Sequence, residues 1–232
     1  MLRIIYRKWL TLAGVLLAAF ACAPSIPRNE YGLEVIEDKD LYLRTVAEDS
    51  SKELVELQDE IPGIRLDIRY ATSDNVMQEQ LYPIVKALLR KPAAGSLAEV
   101  QQDLEARSLG LKVFDAYRPY EVTERMWEPI QNPAYVATPT KGSRHNRGCA
   151  VDLTLVGSSG EELLMPTGFD DFSEKAGHDY QDLPEEAIRN RELLREVMEC
   201  HGFVALKTEW WHYDWQGWER FELLDLPLTS LP

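Results

Sequence analysis

Over residues 64–70 apolar and polar side chains alternate, with Ile64, Leu66, Ile68 and Tyr70 set against Arg65, Asp67 and Arg69. A period of two predicts a half-buried strand. Residues 82–89 fit either a short helix or a strand. From Ser96 the period changes. Ser96-Leu97-Ala98-Glu99 reads as a capping box, Leu97, Val100 and Leu104 share one helical face, and Gly110 ends that helix. Residues 111–117 predict a second strand, broken by Arg118-Pro119, and residues 121–127 a short helix before Pro129. Loop follows over 131–146, then a β-rich run over 149–156. The Gly157-Ser158-Ser159-Gly160 turn lets 161–164 return as a hairpin partner. Pro184 suits the first position of a helix that ends before Gly202, with Leu193, Leu194, Val197 and Met198 as its apolar face. Residues 203–206 predict a last strand, followed by a Trp-rich stretch over 209–218. No repeat or long linker interrupts the series. The expected fold is α+β, a single domain with a mostly antiparallel sheet flanked by helices.

The N-terminal part has a different pattern. Arg3, Arg7 and Lys8 precede an apolar run of 13 residues, Trp9 to Ala21, too short for the roughly 20 residues that span a bilayer. With Ala19-Phe20-Ala21 as a small-residue cleavage site, residues 1–21 read as a signal peptide. Cys22 stands where a bacterial lipoprotein signal places its lipidated cysteine. The expected location is therefore exported, either periplasmic or held at a membrane by a lipid on Cys22. Residues 22–52, polar and carrying Pro24 and Pro27, read as a tether and irregular lead-in. The folded domain is expected over 53–232.

Composition narrows the function classes. Among 232 residues, 25 are Lys or Arg and 39 are Asp or Glu, for a net charge of −14. Removing residues 1–21 takes away three cations and no anion, leaving −17. Such an acidic chain lacks the basic face that phosphate-backbone binding needs, so no nucleic-acid partner is expected. At 45% hydrophobic and 28% charged, it is neither disordered nor a multi-span membrane protein. Three cysteines are too few for a disulfide scaffold. Cys149 and Cys200 are expected as buried free thiols, Cys149 serving as packing rather than as an activated nucleophile.

Two of the four histidines have acidic company at close spacing. His145 lies seven residues before Asp152, across Gly148, and His212 lies three residues after Glu209. In a flat strand Glu209 and His212 would face opposite ways, so both reach one site only if the chain turns there. Two imidazoles and two carboxylates match a hydrolytic zinc site, which uses three protein ligands and leaves one position open for water. A carboxylate outside the ligand set can move the protons. Spacing alone leaves open whether the four residues meet. HExxH, G-x-S-x-G, P-loop and G-x-G-x-x-G motifs are all missing. His178 and His201 read as ordinary structural residues.

The stretch Ser143-Arg144-His145-Asn146-Arg147-Gly148-Cys149-Ala150-Val151-Asp152 fits S-x-H-x-x-G-x-A-x-D, and Glu209-Trp210-Trp211-His212 fits the E-x-x-H that follows it. Together they resemble the D-alanyl-D-alanine dipeptidases, zinc enzymes of a family that also holds D,D-carboxypeptidases and endolysins. Asp67-Ile68-Arg69-Tyr70-Ala71-Thr72-Ser73-Asp74-Asn75, Asp115-Ala116-Tyr117-Arg118-Pro119 and Phe169-Asp170-Asp171-Phe172 resemble the dipeptidase branch. The likeness implies one zinc ion per chain, at the sheet, held by His145, Asp152 and His212. It implies Glu209 as general base and acid, and Arg118 as the cation that meets the transition-state oxyanion. Ser143 and Asp170 match positions that touch the carboxylate and ammonium ends of the substrate, with Asp171 adjacent to the second. The tryptophans fit as wall and core. The implied reaction is hydrolysis of a small D,D-dipeptide, D-Ala-D-Ala, in wall-peptide turnover or salvage, with no protein partner. A D,D-carboxypeptidase acting on peptidoglycan stems and a non-catalytic wall-peptide-binding lipoprotein are the alternatives.

Overall fold

The alternation over residues 64–70 turns Ile64, Ile68 and Tyr70 inward, yet only two of these residues pair as a strand. A computed structural model of the chain describes residues 25–231, so the expected signal over 1–21 and Cys22 lie outside the described residues. In chain order the elements are β1 (Val35–Ile36), α1 (Lys39–Glu48), β2 (Leu54–Glu56), α2 (Leu57–Glu60), β3 (Arg65–Leu66), β4 (Leu88–Arg90) and α3 (Lys91–Glu105). There follow β5 (Leu109–Asp115), α4 (Tyr120–Ile130), β6 (Ala150–Gly157), α5 (Glu185–Cys200), β7 (Phe203–Ala205), β8 (His212–Trp215) and β9 (Leu223–Leu224).

The main sheet has five strands in the order β3-β5-β6-β8-β7. Only the edge pair β3–β5 is parallel; the other three pairs are antiparallel. The architecture is α+β, as the pattern implies. α3 and α5 pack together and against the sheet, burying Leu97, Val100, Leu104, Leu194, Val197 and Met198. One contiguous apolar cluster runs through sheet and helices. None of the described helices is long and apolar enough to cross a membrane.

Several local expectations give way to tertiary structure. α3 begins at Lys91 with Pro92 in its first turn, so Ser96 is a helix-interior residue and not a cap. Its hydroxyl accepts a hydrogen bond from the Trp215 indole at 3.1 Å. The helix ends before Ser108, which takes the left-handed turn (φ +58°), and Gly110 lies inside β5. α4 runs on through Pro129 to Ile130. Residues 161–164 return only as an isolated bridge, Val156 to Glu162, with Leu163 donating to the Leu155 carbonyl. Within residues 22–52, expected as tether and irregular lead-in, β1 pairs in parallel with β9 and α1 buries Leu41 and Tyr42. Cys149 is buried with its thiol pushed up to about 12 by burial, while Cys200 is exposed; both are free.

Candidate metal centre

Sheet register builds the centre. Asp152 on β6 lies opposite His212 on β8, and across the other edge opposite Asp115 on β5. An irregularity between Val113 and Asp115 restores Asp115 to that row. Directly opposed residues in an antiparallel pair hold their Cβ atoms about 4.5–5.5 Å apart. Three acid or imidazole side chains therefore start as neighbours at one end of the sheet.

His145 comes from a 3-10 turn, His145–Arg147, that closes at Gly148 with φ +66°. A Cβ on Gly148 would lie 2.5 Å from Leu54 Cδ2, so backbone and packing both require glycine. The turn is tied to the end of β5: Arg118 N–H donates to the His145 carbonyl at 3.2 Å. Asn146 gives its side-chain N–H groups to the Arg118 carbonyl and Thr123 Oγ1.

His145 Nε2, His212 Nδ1 and Asp152 Oδ1 converge. The separations are 3.2 Å between the imidazoles, 2.9 Å from His212 to Asp152, and 3.4 Å from His145 to Asp152. A tetrahedral zinc with bonds of about 2.0–2.1 Å sets its donors roughly 3.3–3.4 Å apart. The outer ring nitrogens are committed elsewhere. His145 Nδ1 donates to the Ala116 carbonyl at 2.7 Å, and His212 Nε2 donates to Asp214 Oδ1 at 3.0 Å. Each ring thus turns its other nitrogen toward the shared point, as a metal ligand must. Among the described residues this is the one His/Cys/Asp/Glu group close enough to hold an ion. Burial opposes charge on His212, but the hydrogen bonds to Asp152 and Asp214 outweigh it and raise the ring well above its usual range. Metal binding has to displace that proton.

The three donors open into a cleft of about 350 Å³ that also exposes Glu209, Arg118, Ser143, Asp170 and Tyr70. Glu209 joins His212 because residues 206–212 turn, with Glu209 N–H donating to the Leu206 carbonyl and His212 N–H to the Glu209 carbonyl. Burial pushes Glu209 up to about 7, and Asp152 and Asp170 add to the effect. Burial likewise raises Asp170 to about 7, with Asp152 adding to it. Acids crowded in this way are what a bound cation would relieve. The donor set, the ring orientations and the local charge all fit zinc.

Arg118 is buried, with Nε and Nη2 on Asp115 Oδ2 at 2.9 and 2.7 Å. Asp115 Oδ1 accepts from Tyr82 and from the Ala116 N–H. Asp170 sits at φ +59° and accepts from Tyr70 Oη at 3.0 Å. Asp171 instead accepts from the Ser173 N–H, so of the two adjacent acids Asp170 is the one that lines the cleft. Ser143 Oγ accepts from the His145 N–H and keeps its own proton to donate. Trp211 walls the cleft, while the Trp210 indole bonds Thr167 in the core. All seven singled-out residues therefore meet in one place.

Asp214, Asp115 and Tyr70 also belong to the site, with no role legible from their positions in the motifs alone. Asp214 had a legible signal, because residues two apart on a strand share a face and Asp214 follows His212 by two. Asp115 stands three before Arg118, but their pairing depends on the turn at residues 116–118. Tyr70 reaches the cleft only because the chain leaves the sheet after Leu66 and turns over Arg69–Ala71.

A family model described as D-ala-D-ala dipeptidase matches residues 50–222. A D-alanyl-D-alanine dipeptidase of Escherichia coli (strain K12) is 37% identical over 162 residues, 70% of this chain and 84% of the relative. One of Enterococcus faecalis is 30% identical over 181 residues, 68% of this chain and 88% of the relative. Among solved structures, the LdcB LD-carboxypeptidase aligns with 84% of this chain and 86% of its own at 17% identity and a TM-score of 0.44.

Proposed function

Because the chain belongs to the D-Ala-D-Ala dipeptidase family, we propose that it is a zinc peptidase hydrolysing the free dipeptide D-Ala-D-Ala to two D-alanines. The observation that carries this reading is the meeting of His145, Asp152 and His212 with both outer ring nitrogens already committed. These three residues would hold one zinc ion per chain. When bound, the ion supplies Lewis-acid polarisation and acidifies water near neutral pH. Glu209 takes the proton of the attacking water and delivers it to the departing amine; burial raises its carboxyl above the usual carboxylate range, which favours accepting a proton. Arg118, immobilised by Asp115, holds the oxygen that becomes negative as the carbonyl is attacked. Because Asp115 fixes the guanidinium beforehand, little rearrangement is needed when that charge develops. Asp170, with Tyr70, receives the ammonium end, and the Ser143 hydroxyl meets the carboxylate end.

The test is product analysis with D-Ala-D-Ala, L-Ala-L-Ala and a stem pentapeptide, with and without a chelator. Two D-alanines from the first substrate, lost on chelation, are expected. Glu209→Gln should keep the metal and lose nearly all turnover, whereas His212→Ala should lose both. Stem cleavage without dipeptide cleavage would favour the carboxypeptidase alternative. That alternative has one feature in its favour: a second cleft of about 440 Å³ shares the Tyr135, Phe172 and Glu209 wall.

For location, we read residues 1–21 as an export signal, supported by Arg3, Arg7, Lys8 and the apolar run, with Cys22 as the site of a lipid anchor. In an exported setting the enzyme serves wall-peptide turnover or salvage.

A further inference from the structure

Four carboxylates line the metal cleft, Asp152, Asp170, Glu209 and Asp214, against two arginines. Arg118 is already committed to Asp115. A free dipeptide enters as a zwitterion. Asp170 offers an anion to its ammonium, but Ser143 offers its carboxylate only a neutral hydroxyl. A carboxylate entering among these acids is stabilised by a cation of its own, since Arg118 and the metal site serve the scissile carbonyl.

Arg144 stands between Ser143 and His145 in the chain and lines the same cleft. Its side chain is 48% exposed, and its Nε lies 3.6 Å from Asp214 Oδ2, too far for a hydrogen bond. Among the described residues no acceptor takes a hydrogen bond from this guanidinium. Its carbon lies 4.8 Å from the centre of the Trp218 ring, which Arg147 also contacts at 5.4 Å. Arg147 is in turn anchored to the Phe221 carbonyl, so the ring is flanked by one tethered guanidinium and by Arg144. The backbone is fixed as well, since Cys149 N–H donates to the Arg144 carbonyl at 3.0 Å. The result is a guanidinium paired with Asp214 by charge alone, its hydrogen-bond donors unused, lining the cleft next to Ser143. Turning toward a ligand would break no hydrogen bond, because Asp214 keeps its bond to His212.

We propose that Arg144 is a specificity residue that binds the terminal carboxylate of the substrate and selects peptides with a free C-terminus. The inference rests on the dipeptidase reading. A guanidinium suits this task because its parallel N–H groups match the two carboxylate oxygens. A peptide whose C-terminus is amidated would leave that pair unmade.

The experiment compares D-Ala-D-Ala with its C-terminal amide on zinc-loaded wild type, Arg144→Gln and Arg144→Lys, with zinc content measured for each. The wild type should prefer the acid. Arg144→Gln should raise KM for the acid roughly ten- to hundredfold, the loss of one charged hydrogen-bonded pair. It should change kcat far less, and bring the acid-to-amide ratio close to one. Arg144→Lys should restore part of the preference. A wild-type ratio in Arg144→Gln would overturn the proposal. So would loss of zinc with equal loss on both substrates, which would make Arg144 a positioning residue acting on His212 through Asp214. If the wild type is inert on D-Ala-D-Ala, the dipeptidase reading fails. Arg144 is then still judged by calorimetric binding of acid against amide, with equal affinities counting against it.

Discussion

His212 is gripped at both ring nitrogens, by Asp152 on one side and Asp214 on the other. Asp214 therefore sets which nitrogen is offered to a metal and how basic that nitrogen is. Asp214→Asn keeps an acceptor for the ring N–H but removes the negative charge. The expected result is a zinc affinity about 10- to 100-fold weaker, as for outer-shell partners generally, measured by competition with a chromophoric chelator. An unchanged affinity would show that Asp214 only fills space. At this scale the candidate donors were legible, because imidazole and carboxylate at short spacing are chemically distinctive, but spacing alone left open that His145, Asp152 and His212 meet. The partners that orient them were less so. An alanine carbonyl, Ala116, holds His145, and no residue type announces that a backbone oxygen will do so.

At the scale of elements, α3 and α5 are joined by more than apolar contact. His201, at the end of α5, bonds Asp103 at 2.8 Å and Glu99 at 3.1 Å, both on α3. The Asp103 hydrogen bond, helped by Glu99, raises the imidazole above its usual range. A raised histidine contributes stability that is complete below its unfolded pKa, about 6.5, and fades as pH climbs through the folded value. His201→Gln should therefore lower the melting temperature at pH 5.5 and have little effect at pH 9. Equal shifts at both pH values would show that the bridge contributes no proton-linked stability. Periodicity located both helices and their buried faces, since Leu97, Val100, Leu104 and Leu194 are all fully buried. It misplaced the start of α3 because Ser96 imitates a cap, while the helix actually opens at Lys91-Pro92 and spends the Ser96 hydroxyl on Trp215. A local signal lost to a tertiary partner.

Across the whole molecule, Arg90 joins segments far apart in the chain. Fully buried, it donates to the carbonyls of Lys52, Arg147 and Glu222. These lie beside β2, the His145 turn and β9. The guanidinium also lies over the Phe221 ring at 5.2 Å. Arg90→Met would fill much of the volume but leave buried carbonyls unpaired. It should cost about 3 kcal/mol or more of folding stability, read from urea unfolding of the zinc-free protein. A midpoint close to wild type would mean that water replaces the arginine. Tyr117 performs a related closure, its hydroxyl both donating to and accepting from the Leu226 backbone. With β1 on β9, these contacts place residues near 35 and near 223 in one layer against the catalytic body.

By itself, the order of residues supplied the functional groups that converge, His145, Asp152, His212 and Glu209, the motifs that resemble the dipeptidase family, and much of the alternation of strand and helix around them. Those properties reside in functional groups and short periods, both of which are local. Only the tertiary structure decided that Asp115, Asp152 and His212 share one row of the sheet, that Asp170 and not Asp171 faces the cleft, and that residues 35–48 are part of the folded body. Strand register, turn direction and long-range hydrogen bonds depend on surfaces that meet only after the chain has closed. No short window of sequence contains them.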